Sequence, residues 1–386
     1  MIQEQTYYQA KGGSILRPFL LSSGVDQRGY STPLQRRITD FGADVPFGKV
    51  NDKLQEHYGI TVSDSSLRTI TLNHAHEIKV SEDEQLGKVK APEKACIISE
   101  TDGSMIPIVQ PQVVVEGDLD KVAVQSEEEA RDPAEEAKVS QGASCFGERK
   151  DGHSLNEEKV RIDRRKGKTL CYKEAKLTLA YEKGSVTPKF SATMAGAEVA
   201  GKHVLHCVQL IGVGKNTKVH GVGDGAPWIA NRMEEQFGNK VVYLIDFYHL
   251  CEYLSAAAPL CATKDEEVRW LDKQKARLKQ SKAFEVLLAL QPHVEGQDIV
   301  EEKAPVRACY RYIKNRLHQL DYKTAIDEGL PIGSGEIESA HRYVIQKRLK
   351  IAGAWWREEN AGDMLALRTN RANGQWGDYW KQRKTA

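Results

Sequence analysis

Two adjoining stretches, TKVHGVGDGAPWIANRMEEQFG (217–238) and KVVYLIDFYHLCEYLSAAA (240–258), decide how this 386-residue chain is read. Each opens on a short apolar run of strand length and continues with apolar residues at helical spacing. In the first, Gly223 and Gly225 flank Asp224, so the backbone can turn sharply and leave the carboxylate at the end of a strand. Strand, helix, strand, helix is the signature of a layered α/β core. Upstream, ACIISETDGSMIPIVQ (95–110) reads as a β-run broken at Thr101–Asp102–Gly103. TLCYKEAKLTLAYE (169–182) alternates like a half-buried strand, and KFSATMA (189–195) is a third. AEVAGKHVLHCVQLIGVG (197–214) sets Val199, Val204, Cys207, Val208 and Ile211 on one helical stripe, with Gly212 and Gly214 as stop signals. The expected core is a mixed sheet flanked by helices.

The flanks differ in kind. Residues 1–30 are weakly patterned, and 31–90 read as three short helices. The first has Thr32 as cap and Pro33 at its start, the second is closed by Gly59, and the third is capped by Ser63. Helix, helix, short turn, helix is a helix-turn-helix outline, shared with generic small bundles. The core occupies 91–250. Long charged helical segments fill 251–330 as an all-α insertion, and 331–386 return to the core through LPIGSGEIESAHRYV (330–344).

Charge is uneven. Lys and Arg number 55 against 54 Asp and Glu. Residues 113–160 carry 13 acidic and 6 basic groups, which reads as a solvated insertion. Residues 341–386 carry 10 basic and 4 acidic groups. No apolar run approaches the ~18 residues of a membrane span, and no secretory leader is visible. The seven cysteines are never in CxxC spacing, which argues against a zinc ribbon or a disulfide framework and fits a reduced cytoplasm.

Three carboxylates stand out: Asp102 inside an apolar strand, Asp224 in the GDG turn, and Glu338 at the start of a helix after Gly333–Ser334–Gly335. An acid in a strand costs free energy unless it is paired or binds a cation. Converging acids can hold hard divalent cations, and two such ions can activate a water or a 3′-hydroxyl at a phosphodiester. Each acid also has a plain reading, as an Asp–Gly turn or as favourable charge at a helix N-terminus, and Glu336 competes with Glu338. Arg342, Lys347, Arg348 and Lys350 lie beyond Glu338, where a basic helix can follow a phosphate backbone. Trp355 and Trp356 divide between core and surface, and Trp228 reads as a packing anchor.

In order along the chain, ISETDGSMIPI (98–108), YKEAKLTLAYE (172–182), the GDGAPW and LIDFYHL segments and IGSGEIESAHRYVIQKRLKIAGAWWREENAGDMLALRTNRANGQW (332–376) resemble the DDE transposases of bacterial insertion sequences. The likeness is to the Kra-type group and, more loosely, to Mutator-like transposases. It extends to the helical region at 31–75. The resemblance implies an RNase H-like core and an Asp102–Asp224–Glu338 triad holding two Mg²⁺ or Mn²⁺ ions. It also implies cleavage and strand transfer of double-stranded DNA at element ends and target by a homo-oligomer, in the cytoplasm and associated with the nucleoid. Asp246 and His249 resemble the DxxH feature of Mutator-like relatives; the alternative is that Asp246 caps the following helix. A transposase-derived DNA-binding protein without catalysis is the other functional expectation.

Overall fold

The computed structural model describes residues 29–111 and 168–383, together with Tyr7, Pro18 and Ser22. The expectations for the acidic stretch 113–160 and for most of 1–30 fall outside the described residues. The chain divides into two compact units, 1–108 with 172–386, and 109–171. Only the ends of two strands are described in the second.

The N-terminal region forms α1 (Thr32–Asp44), α2 (Phe47–Tyr58) and α3 (Asp64–Gln85) around Ile38, Val50, Leu54 and Leu67. Ser63 caps α3 by accepting from the Ser66 amide. Gly59 ends α2 at φ 64°, a conformation other residues adopt at a cost. Asn51 then fastens the turn, exchanging two hydrogen bonds with the Val62 backbone. Ser31, not Thr32, stands at the cap position of α1, and its side chain makes no capping bond.

The core follows as β1 (Cys96–Pro111), β2 (Lys168–Glu182), β3 (Lys189–Thr193), α4 (Ala197–Ile211), β4 (Lys218–Gly223), α5 (Pro227–Phe237), β5 (Val241–Ile245) and α6 (Phe247–Cys261). The sheet order is β3-β2-β1-β4-β5. β4 runs parallel to β1, β5 runs parallel to β4, and β2 and β3 are antiparallel. Bonds from Lys183 N–H to the Cys96 carbonyl and from Thr178 Oγ1 to the Glu100 carbonyl show residue numbers falling on β2 as they rise on β1. Those two strands are therefore antiparallel.

β1 is not broken at Thr101–Asp102–Gly103 as expected. The Thr101 hydroxyl bonds that of Thr178 at 2.6 Å, and Gly103 lets Glu174 lie where a Cβ would otherwise stand. A long partner strand thus carries β1 straight through a dipeptide that alone would favour a turn.

The insertion supplies α7 (Glu267–Lys279), α8 (Ala283–Leu290), α9 (Pro305–Lys314) and α10 (Tyr322–Asp327). Leu278, Val286, Val306 and Ile313 share one apolar cluster with Ile97, Val219 and Leu244, so these helices complete the core. α11 (Gly335–Ala340) continues through a π-helical segment, His341–Gln346, into α12 (Lys347–Leu349). The chain closes with α13 (Glu358–Ala372) and α14 (Trp376–Gln382).

α13 lies along α3 and carries two arginines that hold the end of α1. Arg368 pairs with Asp44 and donates to the Ala43 carbonyl, while Arg371 pairs with Asp40 at 3.1 Å and Asp44 at 3.0 Å. Much of the basic excess near the C-terminus is therefore internal wiring. No helix among the described residues is long and apolar enough to cross a membrane.

Candidate active site

The register of the parallel strands builds the site. β1 pairs with β4 at an offset of 122, as in Glu100 with Val222, and β4 pairs with β5 at an offset of 22, as in Val222 with Leu244. Asp102 lies two residues past the last β1–β4 pair on β1, and Asp224 and Asp246 directly follow β4 and β5, so continuing the same offsets would bring the three into one row.

The three acids are used differently. Asp246 is 4% exposed and fully engaged. Its Oδ1 caps α6 by accepting from the Tyr248 and His249 amides at 2.6 and 3.0 Å. Its Oδ2 accepts from the Ser334 amide at 2.7 Å and the Ser334 hydroxyl at 2.5 Å. Asp246 thus ties the Gly333–Ser334–Gly335 turn, and the helix it launches, to the end of β5. The DxxH spacing reflects a helix cap, in which His249 contributes its backbone amide. The His249 ring faces Tyr253 and Tyr312 instead.

Asp224 is more open. Its Oδ1 accepts from the Ala226 amide at 2.8 Å, and its carbonyl accepts from the Tyr312 hydroxyl at 2.6 Å. It lines a cleft of about 390 Å³ with His249, Tyr253, Arg311, Tyr312 and Arg316. The helical insertion therefore forms one wall of the site. Asp102 accepts from the Gly103 amide through Oδ1 at 2.7 Å, and its Oδ2 lies 3.2 Å from His341 Nε2.

Glu100 was not singled out in the sequence, yet it organises the site. It lies two residues before Asp102, on the same face of β1, and is 1% exposed. Its carboxylate accepts from the Tyr181 hydroxyl at 3.0 Å and from the Ile337 amide at 2.9 Å. Burial pushes its carboxyl up to about 7, against the pull of those two hydrogen bonds, and the charges of Glu336 and Asp246 add to the rise. Ile337 and His341 are four apart on one helix and engage Glu100 and Asp102, two apart on one strand. The helix carrying Glu336 and Glu338 is thereby pinned across β1 beside Asp102. The available signal was a second acid in an apolar strand, two residues from the first.

Glu336 and Glu338 are both exposed. The charge of Glu336 falls on Glu100, on Tyr181 of β2 and on Tyr343, whose ring packs against Phe190 of β3. Among the described residues, no three His, Cys, Asp or Glu side chains stand together as ligands for a metal ion.

Of the basic residues, Arg342 and Lys347 are exposed, and exposed Lys350 reaches the Ser104 hydroxyl of β1 at 2.9 Å. Arg348 is a correction. At 2% exposure it lies between the rings of Phe47 and Trp356, 4.7 and 4.8 Å from their centroids, and donates to the Gly42 carbonyl. It fastens the N-terminal helices to the core and is not available to DNA. Trp356 is buried and Trp355 is 46% exposed, the division expected. Trp228 is half-buried against the core, with Lys176 over its ring.

Residues 213–384 match an uncharacterised protein family, UPF0236. The match takes in Asp224, Asp246 and Glu338 and stops short of Asp102. No curated protein matches the chain.

Proposed function

We propose that this protein is a DDE transposase of insertion-sequence type, acting on double-stranded DNA as a homo-oligomer from an RNase H-like core. The observation that carries the reading is the parallel register of β1 and β4, which, continued past its last pair, would set Asp102 of β1 beside Asp224 just after β4, next to the helix that carries Glu338. The strand order β3-β2-β1-β4-β5, with an antiparallel hairpin on one side and parallel β4 and β5 on the other, supports the RNase H-like assignment.

Helix geometry supports Glu338 as the third acid. Residues two apart lie about 200° apart around an α-helix. The charge of Glu336 acts on Glu100 and on Tyr181 of β2, and Glu338 lies on a different side of the helix from it. It is also three residues from His341, on the side that meets Asp102.

The donor set fits a hard cation held by few protein ligands. Mg²⁺ keeps several waters and takes one or two carboxylates together with substrate phosphates, without a closed protein cage. Asp102 and Asp224 would hold it, with Glu338 completing the set on DNA. When bound, such ions polarise the scissile phosphate and the attacking water or 3′-hydroxyl. The chain itself carries Asp102 on β1 and Asp224 directly after β4, walls one side of Asp224 with Tyr253, Tyr312 and Arg316, and would offer Arg342, Lys347 and Lys350 to the phosphate backbone.

The absence of a three-ligand cluster among the described residues favours a second reading, a transposase-derived DNA-binding protein without catalysis. One comparison separates the two. With Mg²⁺ or Mn²⁺, the parent should nick duplex DNA carrying the element's ends, and Asp224→Asn should lose about 10³-fold, or about 4 kcal/mol of transition-state stabilisation. Binding without divalent metal should survive in both. Equal cleavage by parent and variant removes Asp224 from the chemistry, and intact binding with no cleavage by either selects the second reading.

A further inference from the structure

His341 is a buried polar side chain whose place in the fold the proposed chemistry does not yet use. It is 4% exposed, and neither ring nitrogen has a hydrogen-bond partner. Its Nε2 is 3.2 Å from Asp102 Oδ2, within bonding distance but out of line for a hydrogen bond. Leaving buried polar atoms unpaired carries a cost of about 1–3 kcal/mol each, and such groups in native folds call for an explanation. A second feature coincides with it. His341 opens the π-helical segment His341–Gln346, inside an otherwise α-helical run. π-Helical turns are rare and concentrate at functional sites.

We propose that His341 is a positioning residue for Asp102: its Nε2–H fixes Oδ2, while the Gly103 amide already fixes Oδ1, so that the carboxylate is oriented for a divalent cation. The proposal rests on the reading of Asp102 as a cation ligand and names what sets that ligand's orientation. A role as a direct metal ligand is disfavoured by Nδ1. A ligating histidine almost always donates its other N–H to an acceptor, and here Nδ1 has none. In the tautomer with the proton on Nε2, Nδ1 is only an unpaired acceptor, and the single donor lies 3.2 Å from Asp102 Oδ2. The carboxylate of Asp102 is 35% exposed, so a small rotation is enough to close the bond. The anchors of the helix match this role. The Glu100–Ile337 bond fixes it one turn before His341, so the imidazole is delivered to Asp102 by a rigid support.

The test is Mn²⁺ affinity of the full-length protein, read from the paramagnetic signal of free Mn²⁺, with and without duplex DNA. Parent, Asp102→Asn, His341→Ala, His341→Gln and His341→Asn are compared after their melting curves are matched. Gln can place an amide N–H where Nε2 stands, whereas Asn places one nearer Nδ1. His341→Ala should weaken Mn²⁺ binding by about 10- to 100-fold, the usual loss when a ligand's supporting partner is removed. His341→Gln should recover most of the affinity and His341→Asn should not. Asp102→Asn should lose binding whatever stands at 341. Parent-like affinity in His341→Ala, with Asp102→Asn defective, overturns the role of His341 and leaves the cation reading standing. Absence of Mn²⁺ binding by the parent, with DNA present, overturns both. If His341→Ala does not fold, the Gln and Asn variants decide, and equal Mn²⁺ affinity in those two overturns the proposal.

Discussion

Replacing Asp246 with Asn tests whether the row of acids contains a structural clamp or a third ligand. The substitution keeps size and shape, and its one remaining carbonyl oxygen can still cap α6 at Tyr248 and His249. The amide nitrogen then faces the Ser334 amide, donor against donor, where Oδ2 had accepted two hydrogen bonds. The Ser334 hydroxyl can turn to accept; its backbone N–H cannot. One hydrogen bond to a charged acceptor, about 1.5–3 kcal/mol, is lost, and an orphaned buried N–H costs about 1–3 kcal/mol more. Relief from burying a charge offsets part of this. A net destabilisation of about 3 kcal/mol is expected, a large share of the 5–15 kcal/mol typical of a folded domain. Denaturant unfolding of parent and variant without divalent cation, at unchanged slope, measures it. A variant within about 1 kcal/mol of the parent, or more stable than it, would refute the clamp. That outcome would mean the fold tolerates Asp246 as an unpaired charge kept for a cation.

Two further perturbations separate packing from charge. Arg348→Ala should cost about 3 kcal/mol in urea unfolding, because it removes two cation–π contacts and the bond to the Gly42 carbonyl. The salt dependence of DNA binding by the folded variant should not change, whereas Arg342→Ala with Lys347→Ala should flatten log K against log salt by up to about 1.8. Burial pushes the Glu82 carboxyl, which accepts from Ser191, up to about 7. Its folded pKa exceeds its unfolded one, so its contribution is complete below about pH 4.5 and is lost as pH rises through 7. That rise corresponds to about 3 kcal/mol of stability at low pH. Glu82→Gln should therefore flatten the decline in melting temperature between pH 5 and 8, with Glu100 leaving a residual slope. An unchanged decline would show that folding does not raise the Glu82 carboxyl above its unfolded value.

The sequence made the strands and the acids visible but not what holds them. Alternation in β2 and the GDG turn after β4 are local patterns, and local patterns survive folding when the tertiary structure agrees with them. Asp102–Gly103 is also local, and there the long β2 strand overrode the turn preference. The convergence proposed for Asp102 and Asp224 is of another kind. It depends on a strand register across 122 residues, which no window of sequence encodes. Arg348 shows a readable signal set aside in favour of a weaker one. Ile337, His341, Ile345 and Arg348 follow helical spacing, and all four are buried. Counting charges between 341 and 386 hid that stripe, although a buried arginine with aromatic rings on both sides satisfies the same period as a leucine. Glu100 and His341 were missed because each has meaning only through the other element. Glu100 becomes an anchor once Ile337 presents an amide to it, and His341 becomes a partner for Asp102 once that anchor fixes the helix. The triad candidates can be read one at a time from sequence, whereas their geometry is a property of β1 and α11 docked together. Substitutions at that contact should therefore disturb the site as surely as changes to the acids themselves.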